Sequence, residues 1–224
     1  MKDYMSLSGK IVISTLFFVL IFSGIGQATD FSSMPKEELQ KQIAALELGL
    51  DNYIVGERLT DVQLEISGKD TDYKAYPGTV KFKDRDIFVI IDKETNVVIA
   101  LYLRNKKADE KEYKAMVGGL MMQFGEPTAM AHGKSIYWNY GQDGLISEEL
   151  YRTVKDQGKL DSLAVLATVK FSSTQSFEEL SAEKREKKES ESSESVKKEE
   201  KISVVSDNYV MIQSDVLSKK YMGK

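Results

Sequence analysis

Apolar residues recur at helical spacing in the middle of the chain, where they form its clearest amphipathic stripe. The stripe repeats at i, i+3, i+4, i+7, i+8 and i+11 and comprises Tyr113, Met116, Val117, Leu120, Met121 and Phe124. This spacing predicts a helix. Asp109 and Glu112 form a variant of the capping box at its start, and Gly125 followed by Pro127 ends it.

Two glycines, Gly118 and Gly119, lie inside this predicted helix. A glycine in a helix interior costs roughly 1 kcal/mol relative to alanine. Because glycine lacks a Cβ atom, we expect this site to let the helix approach a sheet closely.

Two shorter helices are predicted on either side of this unit. One has Pro35 in its first turn and an apolar stripe formed by Leu39, Ile43 and Leu46. The other is capped by Ser147, and three of its residues are expected to face inward, namely Leu150, Tyr151 and Val154.

Alternating apolar residues and short apolar runs predict β-strands. The predicted strands lie at 62–66, 80–83, 87–91, 97–103, 128–131, 135–140 and 163–171. The runs at 87–91 and 97–103 predict a hairpin that is covered on both faces or by a helix. In the strand at 135–140, Trp138 shares a face with Ile136 and is expected in the core, whereas Tyr137 is expected to be exposed.

These elements predict the fold class α+β: a single domain over residues 29–177, with an antiparallel sheet packed by about three helices. Residues 1–28 are typical of a secretory signal, since an apolar run from 11 to 25 precedes small residues at 26 and 28. The run is shorter than the ~20 apolar residues of a bilayer span. A retained N-terminal membrane anchor is the alternative.

Residues 178–201 hold nine Glu and seven Lys or Arg, too much charge to form a packed core. We expect a disordered linker there, with a charged helix over about 177–190 as the alternative. The segment 202–224 regains a β-like composition and either docks on the domain or binds a partner. Its candidate interaction residues are Tyr209, Met211 and Ile212. Removal of residues 178–224 is expected to leave the stability of the domain nearly unchanged.

Composition excludes several classes of function. The chain has no cysteine, one histidine and a formal net charge of −4. Disulfides, thiolate ligands and histidine-rich metal sites are therefore excluded, and nothing favours nucleic acid. An exported chain with neither cysteine nor an Asn-x-Ser/Thr site favours a bacterial envelope protein, periplasmic or secreted. We expect no cofactor and no metal.

Two loop patterns resemble ligand sites but lack an essential part. Gly133-Lys134-Ser135 resembles the end of a phosphate-binding loop, but Thr128 stands where the first glycine belongs and a strand follows. The stretch 139–150 resembles a calcium loop, but Leu150 replaces the bidentate glutamate. Both are interpreted as ordinary turns.

Candidate catalytic groups are equally incomplete. The paired carboxylates Asp70 with Asp72 and Asp84 with Asp86 give no sign of a raised pKa or of a defined separation. His132 lies at a turn and has no predicted partner. We therefore expect no catalytic residue.

The stretch 109–140 resembles a motif of the small outer-membrane assembly lipoproteins of the SmpA/OmlA type and, more loosely, the β-lactamase-inhibitor-like α+β fold. In that family a helix ends in a Gly-x-Pro stop and a strand with a Trp-x-Tyr pattern follows. The matching residues are Val117, Phe124, Gly125, Pro127, Trp138 and Tyr140. The chain lacks the cysteine of the family's lipid anchor. The resemblance implies a non-enzymatic envelope module that binds proteins.

The leading hypothesis is thus a non-catalytic envelope protein that binds a protein partner through Tyr137, an exposed strand edge or the segment 202–217. One alternative is a small-ligand module whose pocket lies between the sheet and the methionines Met116, Met121, Met122 and Met130. Another is a hydrolase that uses Asp84, Asp86 or Asp143. The partner's identity does not follow from the sequence.

Overall fold

The computed structural model describes residues 31, 34–69, 73–176, 178–179 and 205–222, and it has the α+β architecture. The predicted signal at 1–28 and most of the predicted linker lie outside the described residues. The helices are α1 Lys36–Ala44, α2 Asp61–Ser67, α3 Glu110–Phe124, α4 Glu148–Asp156 and α5 Asp215–Met222. The strands are β1 Gly49–Leu50, β2 Tyr53–Ile54, β3 Thr79–Asp84, β4 Ile87–Asp92, β5 Val98–Ala108, β6 Ala129–Ala131, β7 Ser135–Gly141, β8 Gly144–Leu145, β9 Ala167–Ser173 and β10 Ser206–Ser214.

Strands β3 to β10 form one antiparallel sheet, and β1 with β2 forms a separate hairpin. The order in the large sheet is β3-β4-β5-β10-β9-β7-β6, with β8 paired to β7. The two predicted hairpins, at β4–β5 and β6–β7, are both present. Among the described residues, no helix combines the length and the apolar character that crossing a membrane requires.

The C-terminal strand β10 lies in the middle of the sheet, where it pairs with β5 on one side and β9 on the other. The segment that the sequence left open between docking and partner binding therefore docks. The expectation that the domain keeps its stability without residues 178–224 is wrong, because removing β10 would separate β5 from β9 and expose two unpaired edges.

Helix α3 begins and ends as predicted. Asp109 and Glu112 make both reciprocal hydrogen bonds of the capping box, and Gly125 has a φ of 81°, a value that favours glycine. The prediction that Gly118 and Gly119 let the helix approach a sheet closely is wrong, however. A Cβ atom placed on Gly118 or Gly119 would meet nothing within 4 Å, so neither glycine enables a close contact among the described residues.

The succession of helix α3, the Gly-x-Pro stop and the aromatic strand β7 has a direct physical basis, because β7 bonds the end of the helix. The indole N–H of Trp138 donates to the carbonyl oxygen of Gly125 at 2.8 Å. The hydroxyl of Tyr140 donates to the carbonyl oxygen of Phe124 at 3.4 Å. These carbonyls at the helix end lack partners inside the helix, so strand β7 satisfies them.

Two sequence predictions about local structure are wrong. Residues 62–66 form helix α2 and not a strand, because Thr60 and Gln63 make a complete capping box that starts a helix. In α4, Ser147 caps as predicted, but Leu150 is 48% exposed and does not face inward.

Candidate functional site: the open face of the sheet

The two faces of the large sheet differ in what covers them. Strand register aligns six side chains across six strands on one face, and all six are 0% exposed. We call this set the closed row: Phe82, Val89, Leu101, Ile212, Val169 and Trp138. It forms the centre of the hydrophobic core.

Helix α3 and the β1–β2 hairpin pack on the closed row and its neighbours. The ring of Phe124 lies 6.1 Å from that of Trp138, measured between centroids. At the other end of the sheet, Tyr53 of β2 meets Phe82 edge-on at 6.0 Å. Aromatic contacts of this geometry add to the stabilisation from burial.

The neighbouring residue on each of these six strands points to the opposite face. These residues again fall in one register and form what we call the open row: Lys83, Phe88, Tyr102, Met211, Lys170 and Tyr137. Each of them is half-buried. The open row therefore places aromatic, apolar and cationic side chains side by side across the sheet.

Aromatic rings touch one another along the open row. Phe88 lies 6.0 Å from Tyr102, and Tyr102 stacks on Tyr209 at 5.9 Å with an interplanar angle of 28°. Tyr73, which precedes β3, meets Phe88 edge-on at 5.1 Å. Burial raises the pKa of Tyr102 above its ordinary value, so this phenol is neutral and its ring remains an apolar contact surface.

Cationic groups lie over these rings. The ammonium groups of Lys81 and Lys83 lie 4.8 and 5.7 Å from the centroid of Phe88. The Lys170 ammonium lies 5.3 Å from the centroid of Tyr137. Such cation–π contacts hold the lysine side chains against the sheet while their charges still face solvent.

A further cation, Arg104, occupies the same face beside Tyr209, with 5.4 Å between its guanidinium carbon and the ring centroid. It also bonds the carboxylate of Asp207. This hydrogen bond lowers the pKa of Asp207 and raises that of Arg104, so the pair stays charged and is mutually neutralised.

Three of the four residues that the sequence proposed for interaction lie on this face. Tyr137 and Met211 belong to the open row, and Tyr209 stacks on it. Ile212 belongs to the closed row and is 0% exposed. Its assignment as an interaction residue is corrected, because alternation along β10 turns it into the core.

Sequence reasoning missed the cationic and aromatic members contributed by β3, β4 and β5. Because the runs in β4 and β5 are so apolar, the sequence predicts that other elements cover both faces of these strands. This prediction is wrong for one face, since Phe88 and Tyr102 lie on the open side of the sheet. The signal was present in Lys81 and Lys83, which alternate with apolar residues in β3 and mark which side of the sheet faces water.

A half-buried carboxyl lies directly after β10, at the first residue of α5. The side chain of Asp215 lies 2.6 Å from the hydroxyl oxygen of Thr168, which is also 3.1 Å from Oδ1 of Asn139. Desolvation raises the pKa of Asp215. The hydroxyl of Thr168 donates to the Asp215 carboxylate, and this hydrogen bond partly offsets the effect of desolvation.

A small cavity of about 250 Å³ lies elsewhere, between α1 and α5, and its apolar lining includes Phe31, Leu39 and Leu217. At its wall Lys36 makes a 3.0 Å ion pair with Asp92, which is 3% exposed. The methionine pocket suggested by the sequence differs from this cavity. Met122 is 92% exposed and Met130 63% exposed, so these two residues face solvent.

Residues of the incomplete ligand and catalytic motifs make local structural contacts. Lys134 of the Gly-Lys-Ser turn lies 3.1 Å from the carboxylate of Glu179. Asp84 accepts a hydrogen bond of 3.0 Å from the hydroxyl of Tyr53. Leu150, at the last calcium-loop position, lies in α4. Within the described part of the chain, no group of three or more His, Asp or Glu side chains could hold a metal ion.

Comparison of the chain with protein-family models, curated proteins and solved structures finds no match. The resemblance to SmpA/OmlA-type proteins therefore stays a prediction.

Proposed function

We propose that this protein is an exported, non-catalytic envelope protein that binds a protein partner through the open face of its sheet. The observation that carries the proposal is the open row across six strands, which aligns Phe88, Tyr102 and Met211 between two lysines and ends in Tyr137. Aromatic residues, methionine and arginine are the side chains enriched in protein interfaces.

The construction of the sheet also supports this proposal. The open row spans five strand-to-strand steps, or ~24 Å at the usual spacing of antiparallel strands. That width suits an interface of ordinary size, in which each partner buries about 800 Å². Because the closed row fixes the same strands from beneath, the surface is held rigid before a partner arrives, which reduces the entropic cost of binding.

Export is the second part of the proposal, and its support comes from the sequence alone. The apolar run at 11–25 with small residues after it favours a secretory signal. The lack of cysteine is compatible with a bacterial envelope protein that needs no disulfides. Fractionation of cells that express the full chain with a C-terminal epitope tests this part separately.

Position-specific photo-crosslinking tests the binding surface. A photoreactive amino acid is introduced at Tyr137 or Met211, and in control chains at Met122, which is 92% exposed on α3. Irradiation of intact cells should give the same partner adduct from the first two positions and none from the third. An adduct that forms equally at Met122, or only there, would refute the open face as the binding surface.

A second candidate function is the binding of a small apolar ligand in the cavity near Leu217. The 250 Å³ volume and its largely apolar lining favour it. Binding of a small hydrocarbon such as benzene, followed by its effect on melting temperature, provides the test. The variant Leu39→Trp should fill the space and abolish that effect, whereas an unchanged effect would place the ligand elsewhere.

A further inference from the structure

We infer that the open face recognises an extended acidic segment of its protein partner, with carboxylates near both ends and apolar residues between them. This inference rests on the proposed function and adds the chemistry of the partner. It follows from two observations: three lysines of this face have no carboxylate partner among the described residues, and its cationic ends lie a defined distance apart.

The first observation concerns charge. Among the described residues, no carboxylate lies within ion-pair distance of Lys81, Lys83 or Lys170. Two described acidic groups on the same face are already engaged, since Asp207 bonds Arg104 and the half-buried Asp215 bonds Thr168. The chain as a whole carries −4, so this face is locally opposite in sign to the molecule and should attract anions.

The second observation concerns spacing. Lys83 and Lys170 belong to the same row and are separated by four strand-to-strand steps. At ~4.8 Å per step their backbone positions lie ~19 Å apart, which an extended peptide covers in about six residues. Tyr102 and Met211 lie between the two lysines and offer apolar contacts. The expected segment therefore carries acidic residues about six positions apart, with bulky apolar residues inside.

The lysines are also held in position for such a ligand. Lys81 and Lys83 lie over one ring, Phe88, and Lys170 lies over another, Tyr137. A side chain already packed on a ring loses less conformational entropy when it binds a carboxylate than a freely rotating lysine does. This arrangement distinguishes the three lysines from the exposed lysines of the helices.

Fluorescence anisotropy with synthetic peptides tests the inference on the full mature chain. The probe is a labelled peptide of about eight residues, with glutamates about six positions apart and leucine and phenylalanine between them. Two control peptides replace the glutamates by glutamine or move them next to each other. The glutamate probe should bind about tenfold more tightly than either control, and its affinity should fall as salt is raised.

Matched variants locate the binding. The triple variant Lys81→Gln, Lys83→Gln and Lys170→Gln should weaken the glutamate probe about tenfold. A control triple variant removes the same charge from exposed helix positions, Lys41→Gln, Lys111→Gln and Lys155→Gln, and should bind like the wild type. Circular dichroism shows whether each variant is folded. If the triple variant is unfolded, the single variant Lys170→Gln is compared with the wild type instead.

Equal binding of the glutamate and glutamine peptides, or equal loss in both triple variants, would overturn the inference. Tighter binding of anionic phosphatidylglycerol vesicles or of a single-stranded oligonucleotide by the same lysines would also overturn it, in favour of a polyanion. Failure of this inference can be told apart from failure of the proposed function. If Tyr137 and Met211 still crosslink to a partner but the acidic peptides do not bind, the binding surface is correct and only the acidic chemistry of the partner is wrong.

Discussion

The closed row and the open row are one residue apart on the same six strands, yet they differ in almost every property. The closed row is apolar and 0% exposed throughout, whereas the open row mixes rings with cations and is half-buried. Backbone pairing is shared, so the difference resides wholly in the side chains and in what packs on them. The comparison teaches that one sheet can carry its packed core on one face and a half-buried row of rings and cations on the other, which is the face proposed above to bind a partner.

The largest expected effect comes from truncation on the two faces of β10. Ile212→Ala should reduce the free energy of unfolding by about 2–5 kcal/mol, because it opens a cavity in the centre of the core. Met211→Ala, the adjacent residue, should cost about 1 kcal/mol or less. Urea denaturation followed by circular dichroism measures both. Equal losses would show that the open row is as deeply packed as the closed row.

The next effect concerns a buried hydroxyl beside the closed row. Thr128 is 0% exposed; its hydroxyl donates to the carbonyl oxygen of Ile146 at 2.6 Å and accepts from the backbone N–H of Asn139 at 3.0 Å. Thr128→Val keeps the shape but leaves both groups without this partner, so it should cost about 1–3 kcal/mol. Thr128→Ser, which retains the hydroxyl, is the control. A valine variant as stable as the serine variant would contradict this role.

A smaller effect of opposite sign is expected on α3. Gly118→Ala and Gly119→Ala should each stabilise the protein by up to about 1 kcal/mol, because alanine favours helix and its Cβ meets nothing within 4 Å. Gly56→Ala is the matched control, since its Cβ would lie 2.7 Å from the backbone nitrogen of Ala44 at a φ of +92°. Thermal melts that show a loss at 118 or 119 would indicate a close partner on that helix face.

The smallest expected effect is a pH dependence of stability that arises from Asp215, at the end of the open face. The folded state raises the pKa of Asp215 above its ordinary 3.8, so the folded chain holds this proton to higher pH than the unfolded chain does. The contribution of Asp215 to stability therefore falls as pH rises from about 4 through the raised pKa. Asp215→Asn removes this titration. Between pH 4 and pH 7 the free energy of unfolding of the variant, measured by urea melts, should therefore rise relative to that of the wild type. A stability difference between variant and wild type that stays constant with pH would contradict the raised pKa of Asp215.

Much of the fold could be predicted from local patterns. The stripe of α3, its capping pair and its Gly-x-Pro end are all local signals, and they are confirmed. Residues 62–66 were misassigned because five alternating residues fit a strand and a short helix equally well. The capping pair of Thr60 and Gln63 was the signal that separates the two.

The position of β10 could not be predicted, because it depends on pairing between segments about 40 and 100 residues apart. Neighbouring strands in a chain usually pair with each other, as β9 and β10 do. The second pairing of β10, with the distant β5, breaks this pattern and inserts β10 between β5 and β9. The open row exists only once that register is set. Tyr137, Tyr209 and Met211 were visible as alternating residues, but nothing in the sequence placed Phe88 and Tyr102 beside them.

The central claim is that the open face binds and the closed face stabilises, and Met211→Glu tests it most directly. Met211 lies in the middle of the open row and is half-buried, so the variant should fold with only a small decrease in melting temperature. The measurement is the affinity of the folded variant for the partner identified by crosslinking at Tyr137. We predict at least about a tenfold loss, since a buried carboxylate at the centre of an interface is strongly unfavourable. Unchanged affinity in a folded variant would contradict the account.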